Sequence, residues 1–283
     1  FEPGSVGKVI SMSGYLQIGL HKMSDQLSVP DHITQEGQTY KDSFDHGTER
    51  WTLAGILQNS SNVGMIMAGE NYPDEQRYEY LTKFGIGQPT GLNLPGESSG
   101  LLTNPSAWDL RTRNTILFGQ GYTVNALQLN NVVATIANKG VKQQQSIIKS
   151  TTDANGKTTE TKKGEATRVV DEKVASDMMN AMESVAEGYN KFVKVDGYRM
   201  AAKSGTAEVQ GSDGTLSSII SDYSVVIPVD NPRYAVTVVM KDPNGVFGGL
   251  TAGPVSAQIC EFLMQKYEVP VSGPRKNAIP VTW

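Results

Sequence analysis

The sequence predicts an α/β domain of the α+β type. Three observations point there: helical periodicity governs much of residues 5–139, three strand-forming segments crowd residues 198–241, and one more helical stretch follows them. The 283 residues suit one large domain with a sizeable core, bounded at residues 1–267, with 268–283 as an extended tail. Pro270, Pro274 and Pro280 keep that tail out of regular structure.

In order along the chain, a helix is expected over residues 5–20, where Val9, Met12, Leu16 and Leu20 recur at helical spacing behind the turn Pro3-Gly4-Ser5. Residues 24–50 are polar and aperiodic, a loop with short strands. Helical spacing returns over 52–68, with Asn59-Ser60-Ser61-Asn62 dividing it into two parts. A helix near 74–84 ends at Gly85, a Gly/Pro-punctuated loop runs to Gly100, and residues 124–139 are helical again. Residues 142–164, rich in Lys and Thr, read as a surface hairpin about Asn155-Gly156. An amphipathic helix over 171–187 puts Val174, Met178, Ala181, Met182 and Val185 on one face. The strands are expected at 198–209, 223–229 and 234–241, the last two joined by Asp230-Asn231-Pro232-Arg233, and a final helix covers 251–267.

Composition narrows the function. Lys and Arg number 25 against 29 Asp and Glu, so the net charge of −4 gives no basic footprint for nucleic acid or an anionic membrane and favours a small-molecule or peptide partner. Cys260 is alone, lies on the apolar face of the last helix and reads as a small core hydrophobe. His21, His32 and His46 do not form a metal-ligand spacing and read as surface or loop residues, so neither metal nor cofactor is expected. Trp51 reads as a core or interface aromatic, and Tyr122 as either a cleft-lining or a packing residue. No apolar run reaches the 18 or so residues of a membrane span. The opening at Phe1-Glu2-Pro3, without an initiator Met, reads as a piece of something longer whose anchor or address lay upstream.

Three short motifs carry the chemistry. Ser5 and Lys8, three residues apart, share a helix face and suit a nucleophile and its base, because a serine hydroxyl is a weak nucleophile until a neighbour takes its proton. A lysine does so only when burial or a second cation lowers its pKa. Taken alone, Ser-x-x-Lys is equally an ordinary helix start. Ser60-Ser61-Asn62 between two helical stretches could be a helix cap, and Gly205 in Lys203-Ser204-Gly205-Thr206 could mark a strand bulge. The ordered set of all three, on these elements, is the specific signal.

With these motifs the chain resembles the transpeptidase domain of class B penicillin-binding proteins over nearly its whole length. Further likeness lies in Phe1-Glu2-Pro3-Gly4-Ser5, in Thr90-Gly91-Leu92-Asn93-Leu94-Pro95-Gly96-Glu97, in Gly119-Gln120-Gly121, and in Gly248-Gly249 leading into the last helix. The resemblance implies a penicillin-binding/serine β-lactamase-like fold with a five-stranded antiparallel sheet flanked by helices. It implies peptidoglycan D,D-transpeptidase activity in cell-wall synthesis or division, inhibited by β-lactams, with Ser5 acylated, Lys8 its base, Ser60 the proton relay and Lys203 holding Ser60 and lowering the pKa of Lys8. Asn62 would bind the substrate amide. Ser204 and Thr206, with Gly205 between them, would bind the terminal carboxylate of a D-Ala-D-Ala stem peptide. Backbone N–H groups of Ser5 and Thr206 would face the oxyanion. Glu208, two residues past Thr206, falls on the same strand face and would oppose an anionic ligand. The implied location is the extracytoplasmic face of a bacterial membrane, with cell-wall synthesis or divisome membrane proteins as partners and an N-terminal anchor outside this chain. In the family, strands and a helix precede the nucleophile, so a truncated form or a complementing fragment is also implied.

Other acylating enzymes remain open. A class A β-lactamase would need a deacylating Glu in Glu-x-x-x-Asn, and no Glu here stands four residues before an Asn. A D,D-carboxypeptidase or a β-lactam sensor would share the same acylation residues.

Overall fold

The computed structural model of the protein describes residues 1–210 and 216–283, with the backbone alone for 209, 210, 216 and 217. A single 3-10 turn, Gly4–Val6, runs into helix α1 (Gly7–Gln17). This helix stops three residues before Leu20, because Ile18-Gly19-Leu20 turns back on it through the bond from the Leu20 N–H to the Tyr15 carbonyl.

Residues 24–52 form short strands β1 (Gln26–Val29), β2 (His32–Gln35), β3 (Gln38–Lys41) and β4 (Glu49–Thr52). Helices α2 (Leu53–Gln58) and α3 (Asn62–Ala68) follow, then α4 (Asp74–Phe84), closed by Gly85 at φ 98°, where a left-handed residue is needed. Helix α5 (Leu110–Thr115) has no counterpart among the sequence expectations: six residues, five of them polar, show no apolar stripe. Asn125 and Gln128 close a capping box at the start of α6 (Ala126–Ala137). The expected 142–164 hairpin is two ribbons in series, β5 (Val141–Gln143) on β8 (Ala166–Arg168) and β6 (Ser150–Thr152) on β7 (Thr158–Glu160).

After α7 (Glu172–Gly188) come β9 (Ala201–Gln210), β10 (Leu216–Ile227), β11 (Tyr234–Lys241) and α8 (Gly248–Lys266). Strand β10 begins seven residues before the expected start, since its serines and Asp222 hide the strand signal. Helix α8 begins three residues early, over Gly248-Gly249-Leu250.

The main sheet, in the order β11-β10-β9 and antiparallel throughout, has three strands among the described residues instead of the five implied by the resemblance. The other eight strands are three or four residues long and pair with one another in four ribbons, too short to extend it. One sheet face packs Ala202, Tyr223, Val225 and Ile227 against Ala252, Ala257, Cys260 and Met264 of α8. The other packs Ala201 and Val226 into a larger core built from α1, α2, α6 and α7. Cys260 and Trp51 are buried, as expected.

The tail is extended and tied down. Val281 accepts from the Thr52 N–H, Pro280 from the Thr52 hydroxyl, and Arg275 reaches Glu187 and the Asn180 carbonyl on α7. No helix among the described residues is long and apolar enough to cross a membrane.

Candidate active site

The edge strand β9 lies against the start of α1, and two glycines let the backbones meet there. Gly4 has φ 51°, and a β-carbon on it would stand 2.5 Å from the Thr206 carbonyl oxygen. At Gly205 it would stand 2.5 Å from the Pro3 carbonyl oxygen. No larger residue fits either position, so the peptide entering Ser5 is pressed against Gly205-Thr206.

Lys8 is wholly buried one turn along from Ser5, and its Nζ lies 2.9 Å from Ser5 Oγ. The same Nζ donates to the Ser60 carbonyl and lies 3.2 Å from Ser60 Oγ. Lys203, also wholly buried, approaches from β9, its Nζ 2.9 Å from Ser60 Oγ and 3.1 Å from the Ser204 carbonyl. Both amines therefore meet on one serine. Ser60 can face both because its backbone is left-handed, at φ 56°, a strained conformation for serine in the break between α2 and α3.

That break is held from two sides. Ser61 caps α3 by accepting from the Gly64 N–H at 2.8 Å. Asp42, in the loop after β3, accepts from the N–H groups of Asn62 and Val63 at 2.6 and 3.0 Å, and its other oxygen lies 3.1 Å from His46 Nε2. His46 lies in the loop between β3 and β4, and of the surface or loop reading it fits the loop, since its side chain is only 5% exposed. The Asn62 amide points to the Lys41 carbonyl at 3.3 Å.

A cleft of about 370 Å³ opens above this floor, lined by Ser5, Ser60, Asn62, Ser204, Gly205 and Thr206, with Tyr189, Phe44 and Phe247 on its walls. Tyr189 OH lies 3.2 Å from Ser204 Oγ, and Thr206 Oγ1 accepts from the Gly248 N–H at 3.3 Å. Thus Ser5, Lys8, Ser60, Asn62, Lys203, Ser204, Gly205 and Thr206 are brought together. Glu208 is exposed and stands outside the lining. Tyr122 is buried, its hydroxyl against Gly7, and packs beneath the turn that carries Ser5 without lining the cleft.

Electrostatics pull both amines on the floor below the usual lysine range. Burial, and then the Lys203 charge, hold the Lys8 amine well below the usual lysine range, with Asp42 pulling weakly the other way. Burial lowers Lys203 to about 7 against a restoring pull from Asp222. A neutral Lys8 within 2.9 Å of Ser5 Oγ can accept the hydroxyl proton, and a hydroxyl between two amines can pass a proton across the cleft.

Sequence reasoning missed Asp42, His46, Asp222 and Tyr189. Asp42 and His46 sit in a loop without periodicity, and nothing in their spacing ties them to Asn62 twenty residues on.

Comparison with known proteins bears on this arrangement. Residues 1–261 match the family described as Penicillin binding protein transpeptidase domain. The penicillin-binding protein PbpB of Mycolicibacterium smegmatis is 34% identical over 96% of this chain and 44% of its own length. The peptidoglycan D,D-transpeptidase FtsI of Escherichia coli is 35% identical over 92% and 43%. The chain therefore spans less than half the length of these curated relatives. Among solved structures, a peptidoglycan synthetase from Bifidobacterium adolescentis superposes with TM-score 0.96 at 68% identity over all of this chain and 52% of that one. Penicillin binding protein 3 from Mycobacterium tuberculosis, complexed with ampicillin, superposes with TM-score 0.92 at 32% identity, covering all of this chain and 66% of that one.

Proposed function

The chain belongs to the penicillin-binding protein transpeptidase domain family, and we propose that its 283 residues carry a serine D,D-transpeptidase site that cross-links peptidoglycan stem peptides and is blocked by β-lactams. The observation that carries this reading is the convergence of two buried lysines, one from a helix and one from a strand, on Ser60 beside Ser5.

Ser5 Oγ attacks the carbonyl of the penultimate D-Ala while its proton passes to Lys8. Ser60, between Lys8 and Lys203, relays a proton to the leaving D-Ala amine as the C–N bond breaks and the Ser5 ester remains. An acceptor amine then attacks that ester, giving its proton back through the same groups. The N–H groups of Ser5 and Thr206, brought together by Gly4, face the developing oxyanion. Ser204 and Thr206, with Gly205 between them, take the terminal carboxylate, and Asn62 takes the substrate amide. The domain reading of 1–267 with a 268–283 tail belongs to this proposal. So do action on the extracytoplasmic face of a bacterial membrane, an N-terminal anchor outside this chain, and cell-wall synthesis or divisome membrane proteins as partners.

The test is incubation with a fluorescent penicillin, followed by intact mass and peptide mapping. A stable adduct on Ser5, abolished by Ser5→Ala, is expected. Release within seconds would replace the reading with a β-lactamase-like hydrolase, and no adduct would mark a dead cleft. Transfer of a D-Ala-D-Ala peptide to water alone, in the presence of an acceptor amine, would favour a carboxypeptidase, and acylation by β-lactam without any peptide turnover a sensor.

A further inference from the structure

Strand β10 carries a buried acid that takes no part in the steps above. Asp222 is wholly buried and stands opposite Gly205 in the register of β9 and β10. Neither of its carboxyl oxygens has a hydrogen-bond partner among the described residues. A β-carbon on Gly205 would lie 2.3 and 2.6 Å from those oxygens and 2.5 Å from the Pro3 carbonyl. The carboxyl thus sits under Gly205, beside the segment that leads into Ser5. Lys203, two residues before Gly205, lies on the same sheet face and is itself wholly buried. A buried acid without donors is costly unless it takes up a proton or faces a cation, and the cation here is Lys203.

We propose that Asp222 is a positioning residue for acylation: it is the buried counter-charge that keeps Lys203 as the ammonium of the cluster and so leaves Lys8 as the free amine. The proposal rests on the acyl-enzyme reading and adds a residue to it. Charge counting supports it. Lys203 and Asp222 face one another's charge in a dehydrated part of the sheet, and one ammonium with one carboxylate is neutral as a pair, the arrangement of these two that costs least to bury. Lys203 is the lysine on the adjoining strand, so it takes the charge. Mutual repulsion then favours a neutral Lys8. In each of the two groups burial is the larger influence, and the pull of the other opposes it and favours the charged form. Burial lowers Lys203 and Asp222 pulls it back, while burial raises the Asp222 carboxyl well above the usual range and Lys203 pulls it down.

Asp42 acts on Lys8 from the loop after β3. Lys241 lies on the same face of β11 but is exposed at the sheet end opposite Ile220. Glu2 is occupied by the Gly121 N–H. Helix α6 brings only the Asn130 amide, against Ala235 and Thr237, and α8 only the Gly248 backbone, against the Asp222 carbonyl.

The experiment measures the second-order rate of Ser5 acylation by a fluorescent penicillin against pH, for wild type and Asp222→Asn. A bell is expected whose alkaline limb, set by loss of the Lys203 proton, lies about one pH unit lower in Asp222→Asn, with a smaller movement of the acidic limb. An alkaline limb unmoved within about 0.2 unit overturns the proposal, because a group that serves packing alone would change the height of the bell and not its limb. Should the variant fold poorly, the wild type still decides: with lysines labelled at the ε-carbon, Lys203 should lose its proton at higher pH than Lys8, and the reverse order overturns the proposal. Absence of any Ser5 adduct in the wild type would instead break the acyl-enzyme reading, leaving the lysine order to judge Asp222 separately.

Discussion

At the floor of the cleft Lys8 and Lys203 are wholly buried and meet on Ser60, whereas at its rim Thr206 is half-buried and Glu208, two residues along the same strand, is exposed. The floor works by dehydration. An amine cut off from water loses the solvation that favours its charged form, so its base strength is set by a few neighbours at fixed distance. The rim works in water, where charges are screened over about 10 Å and any one of them counts for little. One strand, β9, serves both, because alternate residues face different surroundings. The difference teaches that position relative to solvent, more than proximity in sequence, sets how much each polar residue can contribute.

The largest effect should come from the floor. Lys8→Ala removes the amine 2.9 Å from Ser5 Oγ, and the rate of β-lactam acylation should fall about 10³-fold with the fold retained by circular dichroism. A loss under tenfold would mean that another group takes the serine proton and that burial of Lys8 is not what activates Ser5.

Lys203→Met sharpens the same contrast through stability. Lys203 is a base whose folded pKa, about 7, lies below its ordinary value of 10.5, so from pH 10.5 down to 7 the unfolded chain holds a proton that the folded chain has released. Its cost to the fold is therefore fully present below about pH 7 and fades as the pH rises towards 10.5. Lys203→Met should abolish most acylation, and its gain in unfolding stability over wild type, reduced at every pH by the loss of the cation that faces Asp222, should be larger at pH 7 than at pH 10 in urea titrations. An equal gain at both pH values would show that packing, not desolvation of an amine, separates the variants.

The smallest effect belongs to the rim. Glu208→Gln keeps the shape and removes a charge from an exposed position outside the cleft lining, so acylation by an anionic penicillin should quicken only about threefold at low salt and lose that advantage as salt is added. A gain above tenfold would mean that the rim is as dehydrated as the floor.

Much of this was legible in the chain itself. Helices α1, α4, α6 and α7 announce themselves by apolar spacing and by end signals such as Gly85, and the break at residues 59–62 shows as an interruption of that spacing. The motif residues Ser5, Lys8, Ser60, Asn62, Lys203, Ser204 and Thr206 could be named because each group is a short local pattern whose chemistry needs those residue types. Local patterns are what a sequence carries directly. The left-handed turn at Ser60, the Asp42 clamp on the Asn62 and Val63 N–H groups, and Asp222 beneath Gly205 have no such pattern. They arise from contacts between segments distant in the sequence, and Asp222 was even concealed, since a buried acid in a strand of serines weakens the signal by which strands are recognised. Sequence determined which groups could react, because reactivity belongs to residue type. Only the tertiary structure decided their protonation and reach, because both depend on what excludes water from each side chain and on which charges from distant segments share the dry space.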